Sequence, residues 1–126
     1  MKSISQAALW DNLELLQELI VNGAEVDARD THGRSALHAA ALAERSACLS
    51  ALCSAGAYVD ARWDSSAGGK TALHIAAERG HVENIRAMLK AGASLHITDS
   101  GGDTALSLAE KNNHRHAARA LREARG

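Results

Sequence analysis

Internal repetition constrains this chain more than any other feature. The segments Gly33-Arg-Ser-Ala-Leu-His-Ala-Ala-Ala41, Gly69-Lys-Thr-Ala-Leu-His-Ile-Ala-Ala77 and Gly102-Asp-Thr-Ala-Leu-Ser-Leu-Ala-Glu110 align, with glycine offsets of 36 and 33. A second series, Val21-Asn-Gly-Ala-Glu-Val-Asp27, Ser54-Ala-Gly-Ala-Tyr-Val-Asp60 and Lys90-Ala-Gly-Ala-Ser-Leu-His96, has offsets of 33 and 36. Both series place one three-residue insertion between Asp60 and Gly69. A period near 33 means that one small unit recurs, and such a unit buries its apolar face only by stacking on its neighbours.

Between the two signals the apolar residues follow a helical period, as in Val82, Ile85, Met88 and Leu89, or Leu13, Leu16, Leu19 and Ile20. Each unit therefore reads as helix, turn, helix and a glycine stop. Gly23, Gly56 and Gly92 stand where a helix would end in a left-handed residue. Ser35, Thr71 and Thr104 stand where a hydroxyl would cap the next helix.

These boxes, and above all residues 70–93, resemble the ankyrin repeat, and the resemblance extends over essentially the whole chain. It implies an all-α solenoid of stacked helix-turn-helix units joined by β-hairpin-like loops. Four repeats are expected, at 1–29, 30–65, 66–98 and 99–126, forming a single domain. The departures are specific. Ala36, Ala72 and Ala105 stand where the family usually has Pro, and Glu44-Arg45 replace the Gly80-His81 turn, which predicts a different chain path there. The first repeat lacks its leading hairpin and starts in a helix at about Ile4, with Trp10-Asp11-Asn12 at its turn. In the last repeat Glu110, Arg115 and Arg122 replace Ala77, Val82 and Leu89, as a terminal cap facing water requires.

Composition agrees with closely packed helices: 46% of residues are hydrophobic, yet there is no Phe, one Tyr and two Trp. With 14 Lys plus Arg against 15 Asp plus Glu, no general phosphate-binding surface is expected and nucleic acid is not favoured. The charge is uneven, since residues 1–30 carry two basic and six acidic side chains and residues 111–126 carry five basic and one acidic. No stretch has the apolar length to span a bilayer, and the start has no apolar leader region, so a soluble, intracellular protein of the cytoplasm or nucleus is expected. Cys48 and Cys53, five apart in one helix, are badly placed for a disulfide.

Catalytic patterns are missing. Gly68-Gly69-Lys70-Thr71 has the end of a phosphate loop but not its leading glycine or strand, and it reads as a turn followed by a helix cap. His114 and His116 diverge on a helix and no metal-ligand spacing surrounds them. No catalytic, cofactor or metal residues are assigned. For His38 and His74 the resemblance implies structural hydrogen bonds to neighbouring turns.

What remains is surface, and the resemblance implies that a partner protein docks on hairpin tips and the exposed side of the first helices. By position these offer Trp10, His32, Arg34, Leu42, Trp63, Asp64, Lys70 and Arg79. Trp10 either folds over the open end of the first repeat or binds. Trp63 either packs onto its own inserted loop or binds. If it binds, its ring stands outside the repeat core and Trp63→Ala leaves the melting temperature unchanged. Arg115, Arg119 and Arg122 form a basic stripe that suits an acidic partner or a solvated cap. The resemblance also implies two narrower roles. The chain could be a stoichiometric inhibitor of an enzyme such as a kinase. It could also be a substrate of a 2-oxoglutarate-dependent hydroxylase acting at Asp27, Asp60 and His96, four residues beyond each repeat glycine. A monomer with a protein partner is expected.

Overall fold

The computed structural model describes residues 3–44, 46–63 and 68–125. It forms four consecutive helix pairs: α1 (Ile4–Leu9) with α2 (Leu13–Val21), α3 (Ala36–Ala41) with α4 (Ala47–Ser54), α5 (Ala72–Arg79) with α6 (Val82–Lys90), and α7 (Ala105–Lys111) with α8 (Arg115–Arg125). The first helices pack in the order α1, α3, α5, α7 and the second helices in the order α2, α4, α6, α8, giving two layers. No strand occurs among the described residues. Among them one isolated antiparallel bridge, Arg29 to Ser35, marks the hairpin before α3.

The helices begin where side chains satisfy free amides. Ser3, Asn12, Ser35, Ser46, Thr71 and Thr104 each accept a hydrogen bond from the backbone amide three residues on. At α3 and α5 the cap is reciprocal, because the imidazoles of His38 and His74 reach back to the amides of Ser35 and Thr71. Each second helix of the first three pairs is followed by a glycine with positive φ, at +89° in Gly23, +89° in Gly56 and +93° in Gly92. Nothing lies within 4 Å of a Cβ built there, so the backbone angle alone selects glycine.

Alanine lets the inner layer approach closely. Ala39, Ala40, Ala41, Ala76 and Ala77 are at most 1% exposed. In the outer layer Leu16, Leu49, Ile85 and Ala118 hold one equivalent position in successive repeats, and all four are buried.

The turn that departs from the pattern has its own supports. Where α5 ends in left-handed Gly80, α3 stops at Ala41 and Leu42 keeps a right-handed conformation. Arg45 lies outside the described residues. Asn84, only 2% exposed, accepts from the Ser46 amide at 3.0 Å and donates to the Ala43 carbonyl, which supplies the polar partners this turn needs when buried. From the other side Asp11, at φ +50°, accepts from the Ser46 hydroxyl at 3.1 Å. In the last pair Glu110, Arg115 and Arg122 are exposed while Ala117, Ala118 and Leu121 are buried, so α7 and α8 cover the third repeat and present a polar outer side.

Candidate functional site

The hairpin tips are built on a carboxylate clamp. Asp30 accepts from the amides of His32 and Arg34, both at 2.9 Å, and its own amide donates to the Arg34 carbonyl at 2.9 Å. Asp99 repeats this with Gly101 and Asp103. Between them the equivalent residue is Trp63, whose amide donates to the carbonyl of Lys70 at 2.7 Å. Lys70 follows Trp63 by seven positions where Arg34 follows Asp30 by four, so the insertion lies between Trp63 and Lys70.

Without a carboxylate to hold its own turn, Trp63 reaches back to the preceding one. Its indole N–H donates to the His32 carbonyl at 2.8 Å. Its ring lies 5.9 Å from the His38 imidazole, centroid to centroid, and the Arg34 guanidinium carbon sits 5.7 Å from the ring centroid. Trp63 is half-buried against the core. This corrects the expectation of a ring outside the repeat core: the replaced aspartate leaves the side chain free to fold onto the second repeat, where it loses water and gains a hydrogen bond.

Trp10 behaves differently. It ends α1 and is 58% exposed, beside Leu9 at 41%. The two residues border a groove of about 450 Å³ whose other lining is the hairpin before α3, that of the second repeat and so called the second hairpin, including Arg29, Asp30, His32 and Arg34. Among the sequence-predicted residues, Trp10, His32 and Arg34 thus share one groove, with Trp63 bracing its hairpin wall. The Lys70 carbonyl joins this network by accepting from both Trp63 and His38, while its ammonium pairs with Glu78.

The other predicted residues lie apart. Leu42 is half-buried on the core, Arg79 is exposed at the end of α5, and Asp64 lies outside the described residues. Asp27 and Asp60 are inter-repeat ties, their carboxylates accepting from the amides of Tyr58 at 2.8 Å and Ser94 at 2.9 Å. The exposed His96 donates its amide to the Ser94 hydroxyl at 3.2 Å. Any enzyme modifying the two aspartates must first open those ties.

Burial sets the direction of the shift for the buried imidazoles and for Cys48. The His38 imidazole is pushed down to about 4, mainly because charging it would strand the ion away from water. His74 is lowered for the same reason. In both, Nε2 lies 2.9 Å from a carbonyl of the next repeat, that of Lys70 or Asp103. A carbonyl only accepts, so Nε2 carries the proton, and Nδ1 accepts from the cap residue. At Asp30 burial acts to raise the pKa, but hydrogen bonds from Arg34 and His32 outweigh it and hold the carboxyl below its usual value. Cys48 is buried and pushed up to about 11, by burial first and then by Asp11, which makes it a poor nucleophile. Among the described residues no three His, Cys, Asp or Glu side chains are placed to hold a metal.

On α8 the basic stripe is partly neutralised: Arg119 pairs with Glu123 at 2.9 Å and Arg122 with Glu110. His114 serves packing, since its Nδ1 would stand 2.6 Å from a Cβ at Gly80, and only glycine leaves room for it.

A family model for ankyrin repeats (3 copies) matches residues 4–99 and 60–126, together nearly the full length. The chain belongs to the ankyrin-repeat family. Among similar proteins are ankyrin repeat and SOCS box protein 3 of Homo sapiens, 31% identical over 96 residues, and that of Bos taurus, 30% identical over 96 residues. The match covers 76% of this chain but only 18% of either relative. No helix among the described residues is long and apolar enough to cross a membrane.

Within this ankyrin-repeat chain two supports were missed by sequence reasoning. Arg29 donates to the Arg62 carbonyl at 2.7 Å, and Arg62 donates to the Thr98 carbonyl at 2.8 Å, so each guanidinium ties one ankyrin hairpin to the next. The signal was present in Asp27-Ala-Arg29 and Asp60-Ala-Arg62, the same tripeptide 33 residues apart. Asn84 gave no such signal, because a polar residue on a helix ordinarily faces water.

Proposed function

We propose that this chain is a protein-recognition module, without catalytic activity or cofactor, that binds a partner protein through the face made by α1, the ends of the first helices and the hairpin tips. Membership of the ankyrin-repeat family supports a protein partner. The observation that carries the choice of face is the exposed pair Leu9 and Trp10 bordering one groove with His32 and Arg34. Large apolar side chains left in water beside a concave surface are what a partner desolvates on binding.

The groove is held open by rigid parts. Trp63 ties its own hairpin to His32 and Arg34 of the preceding one and to His38 on α3, so little conformational freedom is lost when a partner docks. The basic stripe of α8 is the weaker candidate, since among the described residues none of the exposed large apolar side chains lies on α7 or α8.

The test is affinity capture from native lysate with the parent chain, Trp10→Ala, and Arg86→Gln on the opposite side. A protein captured by the parent and by Arg86→Gln but lost with Trp10→Ala supports the reading. A protein retained by Trp10→Ala and lost when Arg115, Arg119 and Arg122 are all changed to Gln overturns it in favour of the last helix.

A further inference from the structure

The groove between α1 and the second hairpin has one group whose geometry goes beyond general stickiness. Arg34 is held from two sides. Its Nε donates to Asp30 at 2.9 Å, and its guanidinium carbon lies over the Trp63 ring, 5.7 Å from the centroid. Asp30 is itself fixed by the amides of His32 and Arg34, so the anchor does not swing. Among the described residues neither terminal nitrogen of Arg34 makes a hydrogen bond, and Arg34 lines the groove. A guanidinium immobilised through Nε presents its two terminal N–H groups as a parallel pair, the arrangement that matches the two oxygens of a carboxylate.

The charges of the groove agree. Its lining contains two guanidiniums, Arg29 and Arg34, and one carboxylate, Asp30, already spent on Arg34. The excess is positive, which favours an anionic ligand and disfavours a basic one. Across the groove Leu9 and Trp10 supply exposed apolar surface.

We infer that the groove is a receptor for a peptide segment of the partner that carries an Asp or Glu side chain for Arg34 and, within a few residues of it, a large apolar side chain for Leu9 and Trp10. This rests on the proposed binding face and adds the chemistry of what enters it. Pinning Arg34 before binding removes most of the rotamer entropy an arginine would otherwise lose, so the contact is specific as well as attractive.

The test uses the intact chain and a phage-displayed library of random twelve-residue peptides. Enriched peptides are expected to combine an acidic and a large apolar residue, and synthetic copies should bind at least about tenfold more weakly to Arg34→Gln and to Trp10→Ala. Arg34→Lys keeps the charge but not the paired N–H groups, and should restore only part of the loss. Arg119→Gln on α8 should bind like the parent. Circular dichroism and melting curves on every variant show that each is folded.

Peptides that lose affinity with Trp10→Ala but not with Arg34→Gln overturn the carboxylate assignment and leave the binding face standing. Peptides indifferent to both changes overturn both readings. Full recovery with Arg34→Lys overturns the paired contact in favour of simple charge attraction. Failure to enrich any peptide, or concentration-dependent self-association abolished by Trp10→Ala, overturns the peptide as occupant.

Discussion

Protonation of His38 would add a charge in a dry site and take away the lone pair that accepts from Ser35. Its folded pKa, about 4, lies below the ordinary imidazole value of 6.5, so between those limits the unfolded chain binds more protons and stability falls as the pH falls. Well above 6.5 the imidazole is neutral in both states and the full stability is present. A shift of that size corresponds to about 3 kcal/mol lost by the time pH 4 is reached. Melting followed from pH 7 to 4 should show that slope, reinforced by His74, and His38→Ala should be less stable at pH 7 but flatter across the window. Gly80 is a second test. Alanine there must adopt φ +73° and displace His114, which should cost about 1–3 kcal/mol. Removing His114 as well should recover the steric part, so a double-mutant cycle on Gly80→Ala and His114→Ala should be non-additive.

Helices and hairpins depend on single polar residues where the repeat is irregular. Asn84 lies on α6 but serves the turn between α3 and α4. Asn84→Leu leaves the Ser46 amide and Ala43 carbonyl without their partner, and chemical denaturation should show a loss of roughly 2–4 kcal/mol. Trp63 is the irregular residue of the third hairpin. Trp63→Phe should lower stability by about 1 kcal/mol, the worth of the hydrogen bond to His32, and Trp63→Ala by about 2–3 kcal/mol as the packing on His38 and Arg34 goes too. An unchanged melting temperature for Trp63→Ala would mean that the ring does not pack as described. Its effect on partner binding must therefore be separated from its effect on the hairpin, whereas the exposed Trp10 reports on binding alone.

The whole molecule is a stack, and each pair is covered only by its neighbours. Removal of residues 99–126 uncovers the third repeat, where Ile85 and Met88 are wholly buried in the intact chain. The truncated protein should aggregate or melt at lower temperature, as light scattering and calorimetry would show. A truncated chain that stays monomeric with an unchanged melting temperature would contradict the stacked arrangement. Charge follows the same geometry. The acidic side chains of residues 1–30 and the basic ones of α8 are separated by the length of the stack, so they do not neutralise one another directly.

Periodicity, caps and glycine stops were legible because each is a local rule repeated three or four times: Ser35, Thr71 and Thr104 at helix starts, Gly23, Gly56 and Gly92 after helix ends. The sequence alone therefore determined the number of units, their order and the side of each helix that is buried. It also located the insertion before Lys70, because that follows from register, but left open whether Trp10 folds over the first repeat. Where Trp63 points was decided only by the tertiary structure. The direction its side chain takes depends on a carbonyl at His32 and a ring at His38, 31 and 25 positions away in the chain. The same holds for Asn84, Asp11 and the pinned Arg34. Each makes a contact across repeats, and no local rule can signal a partner that only stacking brings within reach.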